Sequence, residues 1–414
     1  MISNQIFSAA LAINDPWFIE NIELNQETKQ LDVYISFRRG ATFPSKNPDY
    51  PHEYKAYDSV LKTWRHLNFF EYKCFLHCRT PRIQPDKGKT ELISPPWTGI
   101  NAGFTLMFEA FLLQLCVCMP VKAASRIVGE NDDKLWRLLE KYTIGARSHE
   151  DYTDLENVGM DETSQKKNHN YVSLFVDLNK GRTVYVSEGK SHETVEKFAR
   201  DLRLHQVNPE HILNVSCDMS PAFIKGVAEN LPNATITFDR FHVVKIINEA
   251  VDQVRREEVI EQPILKGNRY IFLKNNENLT TIQSTTLNRI RLSYFNLKTY
   301  RALRIREAFQ NIYQASDYRV FEKLLKKWYY WATHSRLEPM IKAAKTIKNH
   351  WDGILSWKLS QINNGILEGL NSVIQAAKSK ARGYRNFRYF RTIIYLLTGK
   401  LDFKPINKHI AQFS

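Results

Sequence analysis

Val158-Gly159-Met160-Asp161-Glu162-Thr163-Ser164, followed by Tyr171-Val172-Ser173-Leu174-Phe175-Val176-Asp177-Leu178, is the stretch whose reading decides the fold. The first run reads as a strand carrying one carboxylate. The second, rich in β-branched and aromatic residues, reads as its partner. Gln165 to Asn170 is all polar and suits a tight turn, so the pair reads as a hairpin. An acid in the middle of a buried strand is costly unless a cation or a metal pairs with it. Asp161 is therefore either a structural oddity or the first ligand of an active site.

Downstream the pattern alternates. Arg182 to Ser187 reads as a third strand and Glu193 to Leu204 as an amphipathic helix. His211 to Cys217 is a fourth strand ending at Asp218, Pro221 to Asn230 a helix, and Ala234 to Phe238 a fifth strand ending at Asp239. Three strands followed by alternating units predict an α/β domain, a mixed sheet with helices on both faces. In open α/β sheets, chemistry collects at the carboxyl ends of strands. From residue 241 to about 355 the chain reads as almost wholly helical. Basic clusters stand at Arg255-Arg256, Arg289 to Arg306 and Lys323 to Lys327, the last interleaved with Trp328 to Trp331. Asn363-Asn364-Gly365-Ile366-Leu367-Glu368-Gly369-Leu370-Asn371 then leads into a helix closed by the basic run Lys378, Lys380, Arg382 and Arg385.

Upstream, residues 1–100 are strand-and-loop material, with Leu31 to Phe37 alternating and Thr80-Pro81-Arg82-Ile83 punctuating the end. From Phe104 the period becomes helical, with Phe104, Met107, Phe108, Phe111, Leu112 and Leu115 on one face and Pro120 as a stop. Val121 to Val128, with Ala123, Ala124 and Ile127 inward, a Gly129 turn and a helix from Lys134 to Tyr142 outline a helix-turn-helix or an ordinary helical hairpin. In the first case Lys134, Arg137 and Lys141 face DNA.

The 414 residues carry 58 Lys and Arg against 44 Asp and Glu, a formal charge of +14 that points to a polyanionic partner, most simply nucleic acid. Five cysteines, without a second pair at zinc spacing, suit a reducing cytoplasm rather than a disulfide framework. No signal peptide opens the chain, and the longest apolar run, around Phe104 to Met119, is too short to span a bilayer, so no membrane partner is expected.

Asp161, Asp218 and Glu368 come from separate elements. Hard carboxylates so arranged can bind a pair of Mg²⁺ ions roughly 3.5–4 Å apart and drive in-line phosphoryl transfer. Singly, Asp218 also reads as a helix N-cap and Glu368 as an exposed helix residue. Together, in a basic chain, they favour phosphodiester chemistry.

At these residues the chain resembles the bacterial insertion-sequence transposases of the ISL-three family. The resemblance runs from about Tyr57 to Arg391. It rests on Trp64-Arg65-His66-Leu67, Pro95-Pro96-Trp97, Gly103-Phe104-Thr105, Asp161-Glu162, Cys217-Asp218-Met219-Ser220, Asp239-Arg240-Phe241-His242-Val243-Val244-Lys245, Leu367-Glu368-Gly369-Leu370-Asn371 and Ala381-Arg382-Gly383-Tyr384. It implies an RNase H-like DDE domain over 151–400 with a helical insertion at about 241–350, a β-rich DNA-binding module at 1–100, a helix-turn-helix at 101–150 and a tail at 401–414. It implies Asp161, Asp218 and Glu368 as catalytic metal ligands for Mg²⁺, with Mn²⁺ as a substitute, and Asp239 and His242 as supporting site residues. Arg65, Lys134, Arg137, Lys141, Arg240, Lys245, Lys378, Lys380, Arg382 and Arg385 become the candidate DNA contacts. Family members carry a zinc ribbon in the first module. Here the corresponding stretches, Thr42 to Lys46 and Gln84 to Gly88, hold no cysteine, so no structural zinc is expected and aromatic packing takes its place.

The resemblance implies a cytoplasmic, nucleoid-associated DNA transposase. It would bind terminal inverted repeats, cleave and rejoin double-stranded DNA at transposon ends and target, and work as a homodimer or higher synaptic assembly. Two alternatives stay open: a catalytically silent, transposase-derived DNA-binding regulator, and an RNase H-like nuclease acting without strand transfer.

Overall fold

The computed structural model describes every residue except 1, 87, 102, 167–169, 294–295, 361, 363–364 and 411–414. The middle of the polar turn after Ser164, the Asn363-Asn364 pair and Lys87 therefore lie outside the described residues. In chain order, helix α1 (Ile2–Ala10) precedes strands β1 (Trp17–Asn25), β2 (Gln30–Phe37), β3 (Thr42–Pro44), β4 (Glu53–Lys55), β5 (Asp58–Arg65), β6 (Lys73–Asp86) and β7 (Lys89–Leu92). Helices α2 (Leu106–Cys118), α3 (Val121–Val128) and α4 (Asp132–Arg147) follow. The chain then alternates through β8 (Asn157–Lys166), β9 (Asn170–Asp177), β10 (Arg182–Glu188), α5 (Glu193–Leu204), β11 (Asn214–Cys217), α6 (Pro221–Asn230) and β12 (Thr235–Phe238). It closes with α7 (Arg240–Glu258), α8 (Arg269–Leu273), α9 (Thr281–Ser293), α10 (Lys298–Ile312), α11 (Tyr318–Thr333), α12 (Glu338–Asn349), α13 (Trp351–Ser360), α14 (Gly365–Lys380) and α15 (Phe387–Thr398). Contacts divide these into two compact units, residues 1–150 with 376–414, and residues 151–375.

The first unit is built on a sheet in the order β1-β2-β6-β5, with β7 added along β6. Leu31, Val33 and Ile35 alternate into its core, as a half-buried strand requires. Thr80-Pro81-Arg82-Ile83, which punctuates the sequence, lies within a strand: β6 runs unbroken from Lys73 to Asp86. The parallel pairing of β2 with β6 ends at Cys78, so the missing Pro81 N–H removes no bond on that edge, while β5 still pairs alongside. Trp17 meets Phe43 at 5.6 Å and Trp97 at 5.3 Å between ring centroids, and Trp64 meets Trp97 at 6.0 Å. Phe43 thus sits, 4% exposed, in the Thr42 to Lys46 stretch.

Gly129 takes φ 70°, a left-handed conformation that glycine adopts without a Cβ penalty, and turns α3 into α4. Asn131 then caps α4 by accepting from Asp133 N–H at 2.8 Å. On α3 the buried positions are Val121, Ala124, Ser125 and Val128. Ile127, expected inward, is 60% exposed, because a helix this short turns only one narrow face to its neighbours. In the same unit α15 packs on α4, with Trp136 stacked on Tyr389 at 4.1 Å and an Arg388–Glu140 ion pair.

The second unit holds a sheet in the order β10-β9-β8-β11-β12. β8, β9 and β10 form an antiparallel meander, whereas β8, β11 and β12 run parallel. Helices cover both faces. Met160 and Phe175 pack towards α5, where Phe175 stacks on Phe198 at 4.5 Å, while Val176 and Leu178 on the other face meet Leu367 of α14. The fourth strand is shorter than the sequence suggests, because Pro209–His211 forms a single 3₁₀ turn before it. Helices α7 to α13 share one apolar core with the sheet. Part of their basic character is spent internally. Arg306, 1% exposed, donates to Phe272 O at 2.8 Å, and Arg255, Arg256 and Arg269 surround Asp252. Of the aromatics on α11, Trp328 is buried, and Tyr330 and Trp331 face outward. No described helix is long and apolar enough to cross a membrane.

If aromatic packing holds the first module, purified protein will contain zinc far below one equivalent, and chelation will leave its thermal midpoint unchanged. Phe43→Ala will cost about 3–5 kcal/mol of stability. One equivalent of zinc whose removal unfolds the module would contradict this.

Candidate functional site

Three aspartates gather where β11 and β12 end beside the middle of β8. Asp161 lies on β8, Asp218 follows β11 and Asp239 follows β12. The backbone holds each in place. Asp161 Oδ1 accepts from Glu162 N–H at 2.7 Å, and Asp218 Oδ1 from Ser220 N–H at 2.9 Å. Asp239 caps α7 by accepting from Phe241 N–H at 3.0 Å. All three aspartates are half-buried.

Their charges act on one another. Burial pushes the Asp161 carboxyl above the ordinary carboxylate range, and the negative charges of Asp218 and Asp239 push the same way. The Glu162 N–H and His242 oppose that shift. Glu162 is also raised, first by burial and then by Asp218. His242 Nε2 stands 3.8 Å from Asp239 Oδ2, on the first turn of α7.

Glu368 is exposed on α14 and is not among the charges that act on Asp161. It lines a cavity of about 670 Å³ together with Asp239, Arg240, Phe241, Trp357 and Lys358. The link from α14 to the aspartates is a residue one turn later: Asn371 Nδ2 donates to Asp161 Oδ2. Among the described residues no three His, Cys, Asp or Glu side chains converge closely enough to hold a metal ion as they stand. Glu162 and Asn371 were given no role by sequence reasoning. The signal for Asn371 was its spacing, three residues after Glu368 on one helix face.

The basic candidates divide. Arg65 is 2% exposed and donates to Cys74 O at 3.1 Å and to His66 O, with Glu130 at 3.8 Å. It is a structural cation of the first module rather than a surface contact. The rest of its motif is equally internal. Trp64 is buried, and His66 Nδ1 lies 2.8 Å from the Thr105 hydroxyl that caps α2. Along α4, Lys134, Arg137 and Lys141 are all exposed, and Lys134 also pairs with Glu130 at 2.8 Å. Arg240 at the start of α7 and Lys245 one turn on are both exposed. Lys380, Arg382 and Arg385 are exposed at and just beyond the end of α14, whereas Lys378 is half-buried.

A family model described as a transposase, of the DDE type, matches residues 158–394, which include all three aspartates and Glu368. The chain belongs to the ISL3 family of transposases. A second model, the helix-turn-helix domain of transposase family ISL3, matches residues 93–143 and so covers α2, α3 and most of α4. The chain is 28% identical over 365 residues to the transposase for insertion sequence element IS1557 of Mycobacterium tuberculosis, with 79% of each chain covered. It is also 28% identical over 346 residues to the transposase for insertion sequence element IS1001 of Bordetella parapertussis, covering 81% of this chain and 84% of that one. The helix-turn-helix and transposase models together support DNA binding by this chain.

Replacing Arg137 and Lys141 with alanine will weaken DNA binding and flatten its salt dependence, by up to about 0.9 in log–log slope for each phosphate that the two side chains neutralise. Arg65→Ala will instead lower stability, by roughly 1.5–3 kcal/mol, because it leaves the His66 and Cys74 carbonyls without their buried charged donor. Filter or gel binding across salt, alongside thermal melts, separates the two effects. The reverse pattern would place Arg65 on the DNA and α4 away from it.

Proposed function

We propose that this chain is the DNA transposase of an insertion sequence, binding terminal inverted repeats and catalysing Mg²⁺-dependent cleavage and strand transfer. The single observation that carries the reading is the convergence of Asp161 and Asp218 on adjacent parallel strands, with Asp161 bonded to the helix that bears Glu368. The fold assignment is an RNase H-like domain over 151–400 with its insertion at about 241–350, which suits the meander of β8 to β10 and the parallel β11 and β12. The β-rich module at 1–100 and the helix-turn-helix at 101–150 serve DNA-end recognition. Two ends must be handled together, so a homodimer or larger synaptic assembly is the working form.

The donor set fits a hard divalent cation. Asp161, Asp218 and Glu368 offer only carboxylate oxygens, and positive charge would oppose the burial and the repulsion from Asp218 and Asp239 that raise Asp161. Mg²⁺ bound there, or Mn²⁺ in its place, would supply Lewis-acid activation of a water or 3′-hydroxyl and charge stabilisation of the leaving oxygen. The protein's own residues do the rest. Asp161, Asp218 and Glu368, on three separate elements, would be the residues that hold the cation. Asp239 orients the start of α7 through its cap and holds His242 beside the site, where the imidazole can meet a DNA phosphate. Arg240, Lys245 and the basic end of α14 steer the backbone of the incoming duplex.

The test is strand cleavage on linear DNA carrying the ends that flank the element. Asp161→Asn, Asp218→Asn and Glu368→Gln should each lower the cleavage rate by about 100-fold or more while end binding persists. Equal cleavage by wild type and Asp161→Asn would overturn the catalytic assignment. Binding without cleavage in every protein, wild type included, would make the chain a regulator.

A further inference from the structure

Glu368 has a positioning problem. Its carboxylate makes no hydrogen bond or ion pair among the described residues, and α14 buries only Leu367 and Ile374. Nothing at the side chain itself sets where this acid stands. The register of the whole helix must do so.

That register is visible in three contacts between α14 and β8. At Gly159 the backbone leaves room for Leu367: a Cβ there would stand 3.1 Å from Leu367 Cδ1 and 2.8 Å from Leu178 Cδ2. Two residues along the strand, Asp161 Oδ2 accepts from Asn371 Nδ2. Two further, the Thr163 hydroxyl accepts from Gln375 Nε2. Residues 159, 161 and 163 share one face of the strand, because side chains alternate. Residues 367, 371 and 375 share one face of the helix. The repeats match. Four helical residues rise about 6 Å, and two strand residues span about 6.6 Å. The contacts therefore stay in phase over two helical turns.

The amides are not explained by stability alone. Asn371 Oδ1 is buried without a partner, a state that costs about 1–3 kcal/mol. An apolar residue there would avoid that cost but could not hold Asp161. Slipping α14 by one residue would move Glu368 about 1.5 Å along the axis and about 100° around it. A 1 Å misplacement at a reacting centre costs on the order of 100-fold in rate.

We propose that Asn371 and Gln375 are positioning residues: their side-chain amides clasp α14 to β8 and set Glu368 in register with Asp161. The proposal rests on the reading of Asp161 and Glu368 as catalytic acids.

The test uses the full-length protein and four readouts: thermal midpoint, DNA-end binding, Mn²⁺ binding by electron paramagnetic resonance without DNA, and cleavage kinetics. Asn371→Leu should weaken Mn²⁺ binding about tenfold or more and lower kcat by roughly 100-fold. Its DNA-end binding and melting should stay near wild type. Gln375, which is exposed, provides a variant safe for folding. Gln375→Leu and Thr163→Val should each lower kcat with KM unchanged, and the double variant should be no worse than either single one. Gln375→Glu, which can accept from the Thr163 hydroxyl, should restore activity. Wild-type Mn²⁺ binding and kcat in Asn371→Leu and Gln375→Leu, or additive losses in the double variant, would overturn the clasp. Asp161→Asn keeps the two failures apart. If it loses Mn²⁺ binding and cleavage while the amide variants keep both, only the clasp falls. If it too behaves as wild type, the catalytic reading falls with it.

Discussion

A carboxylate half-buried beside two others is the constraint on which the second unit depends. Asp161 stands near Asp218 and Asp239 at the ends of neighbouring strands, and burial with mutual repulsion raises its pKa. Such a cluster is unfavourable by itself. The surrounding elements hold it regardless: parallel pairing fixes β8 against β11 and β11 against β12, and backbone N–H groups grip one oxygen of each aspartate. Tight packing leaves those strands little freedom. A Cβ on Gly353 would collide with the Phe238 ring, so α13 lies directly against the strand that ends at Asp239. The fold thus keeps its acids together at some cost in stability.

Much of this was legible in the sequence where a period or a strand end carried it. The β8–β9 hairpin, the alternation of strands and helices that follows, and the placement of Asp218 and Asp239 all come from local pattern, which short-range sterics and burial enforce. What escaped depends on tertiary partners. Asn371 carries no local sign that its amide meets a strand 210 residues earlier. Arg65 reads as a surface cation in a basic chain, yet its guanidinium lies between the rings of Phe75 and Phe108 and serves backbone carbonyls. Ile127 reads as an inward residue by helical spacing, but a two-turn helix has few buried positions to offer.

The first module is closed by aromatic packing. Its sheet closes over Trp17, Trp64, Trp97 and Phe43, whose edge-to-face and tilted contacts add to the area they bury. The Trp64-Arg65-His66 motif works inside that module. It joins β5 to the start of α2 through the Arg65 N–H to Gly103 carbonyl bond, the Thr105 N–H to Arg65 carbonyl bond and the His66–Thr105 contact. It thereby sets the sheet against the helices of the helix-turn-helix family match.

The central claim is that Asp161, Asp218 and Glu368 share a divalent cation. The most direct measurement replaces Mg²⁺ with Fe²⁺ in the DNA-bound protein, generates hydroxyl radicals at the bound metal and maps where the polypeptide is cut. The account predicts three clusters of cuts, around residues 161, 218 and 368, all suppressed by excess Mg²⁺ and by Asp161→Asn. Cuts confined to other segments, or a pattern indifferent to both, would contradict it.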